Sequence, residues 1–216
     1  MKRKTASFTG TRPIFTGSPS IVMGGFNLDV ANQRFETGTY IPAGTLAIMD
    51  EEKRTVSVIK SAKVIEVDAD DKKIVHLYVD EFYDPTFAVG DLVLKDGTAA
   101  TAIASVPSVQ RVERTDTTCI ITLSAAISGL AEGDVLVEVV SDGASDAPKS
   151  KMIGDANCAL ISDVEVKPFE TSVDVTADTM QYAIYERRVP PVPTGQKDQT
   201  GRFLKANPHV KFTKSY

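Results

Sequence analysis

The sequence of 216 residues contains no tryptophan, only two cysteines and only two histidines. So few histidines give little material for imidazole catalysis, and no Gly-x-Ser-x-Gly motif accompanies either of them. The glycines form neither the G-x-G-x-x-G pattern nor the phosphate-loop pattern, so nucleotide binding is not indicated. The sequence therefore predicts no catalytic residue and no cofactor.

The two cysteines, Cys119 and Cys158, each lie in an apolar run, CIIT and CALIS. A free cysteine in such a run usually behaves as a small buried hydrophobic residue. The pair lacks the C-x-x-C spacing and the nearby histidines of a zinc site, so we expect no metal there. A disulfide between the two is left open.

Long hydrophobic runs are also missing. No uninterrupted run of about 18 apolar residues occurs, so no membrane-spanning helix is expected. The basic start Lys2-Arg3-Lys4 is not followed by the apolar segment that a secretory signal needs. We therefore expect a protein that is made and kept in a cytoplasm. Its hydrophobic content of 42% is ordinary for a folded globular protein.

The formal net charge of -5 is unevenly distributed. Residues 1–20 contain four basic and no acidic residues, and residues 186–216 contain seven basic against two acidic residues. The part between them is therefore strongly acidic. Basic ends favour contacts with an acidic surface, either of a partner or of a second copy, or with nucleic acid. Nucleic acid is disfavoured, because the acidic body repels phosphates and no recognition module is present.

Short runs of nearly alternating apolar and polar residues, rich in β-branched side chains, predict strands through much of the chain. They cover residues 45–49, 56–60, 62–67, 74–79, 92–94, 109–112 and 119–123. The acidic connector at 68–73 lacks the glycine and the glutamate of a calcium loop, and indicates a hairpin turn instead. The sequence thus predicts an all-β protein, mainly an antiparallel β-sandwich or barrel-like body with extended terminal arms.

One element occurs twice, as FAVGDLVL at 87–94 and as LAEGDVLV at 130–137. The strands before it also correspond, with an offset of 45 at the second strand (74 to 119) and 43 at the Gly-Asp turn (91 to 134). The loop between them is therefore expected to be two residues shorter in the second copy. We interpret the glycine as supplying a backbone angle that other residues resist, and the aspartate as binding amides of the turn.

Composition divides the chain into four segments. They are an extended N-terminal arm (1–20), a β-rich body (21–148) with the internal repeat (63–95 and 109–139), an additional β-rich segment (149–189) and a Pro-rich, basic C-terminal arm (190–216). The prolines at 190, 191 and 193 favour a stiff, extended start of the last segment.

The run IPAGTLAIMDEEKRTVSVIKSAKVIEV, followed by FAVGDLVL and then by AEGDVLVEV, resembles the head fibre and capsid decoration proteins of tailed bacteriophages. The resemblance covers residues 38–140 and rests on pattern, without any functional residue. It implies a non-enzymatic virion structural protein on the capsid surface, present in the host cytoplasm during assembly. It also implies attachment to the major capsid protein and self-association, with a homotrimer favoured over a homodimer.

On this hypothesis the terminal arms are expected to contact the partners, because aromatic and arginine side chains dominate interface energetics. The candidate residues are Arg3, Phe8, Arg12 and Phe15 in the N-terminal arm and Arg202, Phe203, Lys211 and Phe212 in the C-terminal arm. The main alternative is a carbohydrate- or cell-surface-binding β module that acts in adhesion, with a host cell surface as its partner. A glycosidase with paired carboxylates is a third hypothesis.

Overall fold

A computed structural model describes residues 13–17, 19–22, 25–80, 82–97, 100–115, 117–177, 182–203 and 209–214. These residues form strands and three short 3₁₀ turns but no α-helix, which confirms the predicted all-β class. The strands are β1 (Phe15–Thr16), β2 (Phe26–Leu28), β3 (Tyr40–Ile41), β4 (Leu46–Asp50), β5 (Thr55–Val58), β6 (Ser61–Val67), β7 (Ile74–Leu77), β8 (Leu92–Lys95), β9 (Val109–Arg114), β10 (Cys119–Leu123), β11 (Val135–Ser141), β12 (Ser150–Met152), β13 (Cys158–Ala159), β14 (Val164–Glu165), β15 (Ser172–Val173), β16 (Tyr182–Tyr185) and β17 (Val210–Thr213).

Six of these strands close into an antiparallel ring in the order β6-β7-β10-β9-β8-β11, with β11 returning to β6. The shortest junction joins β8 to the start of β9, through a bridge between Leu92 and Ser108. Side chains from all six strands fill the interior: Ala62, Val64, Val75, Leu77, Phe87, Val93, Val109, Cys119, Ile121, Leu123 and Leu136. The barrel-like form of the prediction therefore describes this part of the chain.

The two sequence copies close this ring by pairing with each other. The N–H of Val64 donates to the carbonyl of Asp134 (2.8 Å), and the carbonyl of Val64 accepts from the N–H of Gly133 (2.9 Å). Val109 makes the equivalent pair of bonds with Asp91 and Gly90, at 2.8 Å each. Each copy thus supplies the Gly-Asp turn that pairs with the first strand of the other. The element occurs twice because each half of the ring needs one, and the two halves are related by an approximate twofold axis.

The two Gly-Asp turns also have the same local geometry. Both glycines have a positive φ, 92° at Gly90 and 88° at Gly133. In each turn the aspartate Oδ2 accepts from an N–H three residues earlier, that of Ala88 or that of Ala131, at 2.8 Å. The predicted roles of glycine and aspartate in these turns are confirmed.

Pairing shows that the predicted alignment of the second strand was wrong by one residue. Val64 faces Leu77 in the first copy, and Val109 faces Leu123 in the second, so the offset between β7 and β10 is 46 (77 to 123). The hairpin of the second copy is therefore one residue longer than that of the first. The loop from β10 to the second Gly-Asp turn is three residues shorter than the loop from β7 to the first, where the sequence predicted two. The difference matters because neighbouring side chains of a strand face opposite sides, and only this alignment keeps both leucines in the core.

A second layer brings together strands that precede and follow the ring in the chain. The sheet β13-β4-β5-β2-β15 and the pair β3-β14 join residues 26–58 to residues 158–173. Their shared core contains Phe26, Leu28, Ile41, Ala47, Val56, Val58, Cys158, Leu160, Val164, Val166, Val173 and Val175. Within the segment predicted at 149–189, β12 pairs with β11 of the ring while β13, β14 and β15 complete this layer.

The described parts of the two predicted arms lie on the body. β1 and β17 flank β16 in a three-stranded sheet. The Pro-rich stretch also packs against the protein: Pro190, Val192 and Pro193 are buried, and Ser61 Oγ donates to the carbonyl of Pro191 (2.6 Å). The Pro-rich stretch therefore covers part of the body of the same chain.

Cys119 and Cys158 are free, buried thiols in separate core clusters. Burial raises the pKa of Cys119 to about 11 and that of Cys158 to about 12. Both thiols are therefore protonated at neutral pH, and the expectation of small hydrophobic core residues is confirmed.

Candidate docking surface above a buried ion pair

The residues predicted to contact partners fall into three groups. Arg3, Phe8 and Arg12 lie outside the described residues. Phe15, Phe203 and Phe212 are buried in a core cluster of this chain, where Phe15 packs edge-on against Tyr182 and the other two pack against each other. These three aromatic side chains are thus used inside the fold, which corrects the expectation that they are free for a partner.

Arg202 and Lys211 are exposed, and their backbones form an antiparallel bridge. Strand alternation explains the split, because Val210 and Phe212 on either side of Lys211 point into the core. The basic residues of the tail therefore form a surface, while its aromatic residues form the sheet that carries this surface.

A buried lysine lies where the ring meets the second layer. Lys60 has a relative exposure of 1%, and its Nζ lies 2.7 Å from Asp91 Oδ2 and 3.5 Å from Glu138 Oε1. The ammonium group also donates to the carbonyl of Arg34 and lies 4.5 Å above the ring of Phe35. One cation thus lies between two carboxylates and binds the backbone of residue 34.

The twofold relation of the ring explains why this lysine is needed. Asp91 corresponds to Asp134, and by the same offset Lys95 corresponds to Glu138. In one half, Lys95 Nζ pairs with Asp134 at 2.8 Å on a partly exposed edge. In the other half a glutamate occupies the position of that lysine. Two carboxylates would then meet in the interior, and Lys60 from outside the repeat supplies the missing positive charge.

The second carboxylate of this cluster is held by a glutamine. Gln33 Nε2 donates to Glu138 Oε2 (2.6 Å) and to the carbonyl of Val58 (2.8 Å), and Gln33 Oε1 accepts from the N–H of Val58 (2.7 Å). Burial raises the pKa of Glu138 to about 7, an effect that Lys60 opposes and Asp91 reinforces. Within the described chain, Asp91 Oδ1 is buried without a hydrogen-bond partner. The cluster is therefore polar, buried and sensitive to the protonation of one carboxyl.

Residues 33–35 connect this cluster to the surface. All three residues line a cleft of about 280 Å³, and we call them its floor. The full lining is Val30, Gln33, Arg34, Phe35, Thr37, Val166, Lys167, Pro168 and Phe169. Arg34 Nη1 also donates to the carbonyl of Gly90, which attaches the cleft to the first Gly-Asp turn (3.4 Å). The buried ion pair therefore fixes the floor of an open cleft.

Large apolar side chains are exposed around this cleft. Phe169 is 86% exposed and Val30 is 51% exposed, and Val89, next to Gly90, is 59% exposed. Arg34 and Lys167 are the charged residues in the lining. Exposed aromatic and arginine side chains that lie together are typical of protein interfaces. We refer to Val30, Arg34, Val89, Lys167 and Phe169 as the Phe169 surface.

Phe169 and Lys60 differ in how far the sequence alone could indicate their roles. Phe169 lies in the polar, proline-containing turn KPFE, where no strand alternation could bury it. Lys60 ends a predicted strand, in which a charged residue is expected to face solvent; its burial depends on Asp91 and Glu138, which are distant in the chain. The first could have been found from the sequence, and the second could not.

Comparison of this chain with protein-family models, with curated proteins and with solved structures gives no match. Among the described residues, no group of three or more His, Cys, Asp or Glu side chains is placed to hold a metal ion. The same residues include no helix with the length and apolarity to cross a membrane.

Replacing Lys60 with methionine is expected to lower the free energy of unfolding by about 3–5 kcal/mol, because two buried carboxylates lose their cation. The double variant Lys60→Met/Glu138→Lys places an amine where the other half of the ring has Lys95. We expect it to recover at least half of the loss. Urea denaturation of the full chain measures all three proteins.

The matched control is Lys95→Met, which breaks the equivalent but half-exposed ion pair and should cost at most about 1 kcal/mol. A Lys60→Met protein as stable as the wild type, or a double variant no better than the single one, would contradict the role given to Lys60.

Glu138 should make stability depend on pH. Its pKa of about 7 in the folded protein exceeds the ordinary value of 4.5, so the folded state binds more protons between these pH values. The free energy of unfolding therefore falls as pH rises through this range. Glu138→Gln should lack this loss. Between pH 5 and pH 8 the free energy of unfolding of the wild type should therefore fall by on the order of 2 kcal/mol more than that of the variant.

Denaturation curves of wild type and variant across that range measure the effect. Glu132→Gln, which removes an exposed carboxyl, serves as the control and should follow the wild type. Parallel curves for wild type and Glu138→Gln would show that Glu138 is not the titrating group.

Proposed function

We propose that this protein is a non-enzymatic docking protein that attaches to another protein through the Phe169 surface. The observation that carries the proposal is the 86% exposure of Phe169 beside a cleft whose floor is fixed by a buried ion pair. A rigid floor limits the conformational entropy lost on binding, and an exposed aromatic residue supplies the apolar contact area.

The side chains that line the cleft indicate the chemistry of the partner's surface. Arg34 and Lys167 are positive, and Phe35, Val166 and Pro168 add apolar lining. A matching surface offers an apolar side chain with carboxylates beside it. The acidic body and the basic ends of this chain also favour association with other protein chains.

The resemblance to head fibre and capsid decoration proteins supplies the biological setting of this proposal. On that basis the partner is the major capsid protein of a tailed bacteriophage, and the location is the outer surface of the virion. Self-association, with a trimer favoured over a dimer, belongs to the same proposal. The mainly antiparallel β fold is compatible with a static role on a shell.

Phe169→Ala should weaken binding to assembled shells of the major capsid protein from the same genome by at least about tenfold, since central aromatic residues contribute most of an interface's affinity. Co-sedimentation of full-length protein with such shells measures the binding. Ile21→Ala is the control, because Ile21 is also exposed and apolar (47%) but does not line the cleft. Unchanged binding by Phe169→Ala would rule out this surface.

A specific feature favours carbohydrate binding as a second candidate. Tyr78 is 40% exposed in a cleft of about 810 Å³ that also contains Asp80, Asp96, Glu186 and Arg187. Aromatic faces beside carboxylates can hold a sugar ring by stacking and hydrogen bonds. A glycan array separates the candidates: binding that is lost in Tyr78→Ala but retained in Phe169→Ala would favour adhesion.

A further inference from the structure

Arg114 fastens a loop in one half of the ring. At the end of β9, its Nη2 donates to the carbonyls of Phe87 (2.5 Å) and Pro85 (3.3 Å), and its Nη1 pairs with Glu36 Oε2 (2.7 Å). The Arg114 side chain is only 10% exposed. A guanidinium group therefore fills the space between the end of β9 and the loop before the first Gly-Asp turn.

The other half of the ring has alanine at the corresponding position. Glu113 pairs with Ile120 in the second copy, and the N–H of Asp68 donates to the carbonyl of Ile74 in the first. Ile74 is the equivalent of Ile120, so Asp68 is the equivalent of Glu113. The next residue, Ala69, is therefore the equivalent of Arg114. The loop that faces it is also equivalent, because Leu130 precedes its Gly-Asp turn by the same distance as Phe87 does.

A cleft of about 690 Å³ lies beside Ala69. It is lined by residues 65–69 and Lys72 on one side and by residues 126–132 on the other. Its ionisable residues are Glu66, Asp68 and Glu132 against a single Lys72. The amides of Asp71 and Asp70 bind the Asp68 carboxylate and lower its pKa, so Asp68 is charged at neutral pH.

The lining also includes Ile65, which is 41% exposed, together with Ile127 and Leu130. An acidic rim on apolar walls suits an arginine side chain, whose methylene stem packs on apolar surface while its guanidinium binds carboxylates and carbonyls.

We propose that this cleft binds an arginine side chain from the N-terminal segment, residues 1–12, of a second copy of this chain. The arginine would occupy the place that Arg114 fills in the other half of the ring. The segment has the matching charge, with Lys2, Arg3, Lys4 and Arg12 and no acidic residue. The cleft is a different surface from the Phe169 surface, so this proposal stands whether or not that surface binds a capsid.

The test measures binding of a fluorescent peptide with the sequence of residues 1–12 to the full-length protein. In this protein Lys2, Arg3, Lys4 and Arg12 are replaced by glutamine, so that its own N-terminal segment does not compete with the peptide. Fluorescence anisotropy measures the binding. We expect Ala69→Arg in this background to weaken binding at least about tenfold, because its own guanidinium would then fill the cleft. Ala144→Arg, which adds the same charge at an exposed site outside the cleft, should leave binding unchanged.

Three results of the anisotropy assay would overturn the proposal: no binding of the peptide, equal binding by the Ala69→Arg variant, or equal binding of a peptide with lysine in place of both arginines. Light scattering on the unmodified full chain tests whether the arginine comes from a second copy. The mass should exceed that of a monomer and should fall in Ala69→Arg, and a monomeric wild-type chain would contradict supply by a second copy.

Discussion

The buried ion pair between Lys60 and Asp91 is the contact on which the arrangement of this protein depends. Lys60 comes just before the first ring strand, Asp91 belongs to a Gly-Asp turn of the ring, and the same ammonium group binds the backbone of residue 34 in the second layer. A buried charge is costly unless it is paired, so neither the ring nor the second layer can shift without exposing an unpaired charge to an apolar interior. The pair thus fixes the two layers to each other and fixes the floor of the cleft beside Phe169.

The approximate twofold axis shows how one repeated element supports two different surfaces. Backbone bonds are kept in both halves, since Val64 and Val109 each pair with the Gly-Asp turn of the opposite copy. Side chains differ where each half meets its surroundings. Glu138 stands where the other half has Lys95, and this exchange draws Lys60 into the interior. Ala69 stands where the other half has Arg114, and this exchange leaves an acidic cleft. The repeat provides the frame, and the side-chain exchanges give the two halves different surfaces.

The sequence was sufficient for the features that depend on local pattern. Alternating β-branched residues predicted most ring strands, and the twin Gly-Asp turns predicted the internal repeat with the roles of both residues. Features that depend on contacts between distant residues were not predictable. The burial of Lys60 needs Asp91 and Glu138, which are distant in the chain. The one-residue change in the alignment of β10 with β7 follows from strand pairing alone. The aromatic residues of the tail were expected at a surface, but Phe212 alternates with Lys211 in a strand that turns it inward.

The proposed docking on a shell through the Phe169 surface is tested most directly by amide hydrogen exchange of the full chain, measured alone and bound to assembled major capsid protein. We expect slower exchange on binding in residues 30–37 and 166–169, the two segments that contain the residues lining the cleft. Exchange in β6, β7 and β10 of the ring should not change, because their amides already bond within the sheet. Unchanged exchange in both segments, with slowing confined to another face, would contradict the claim.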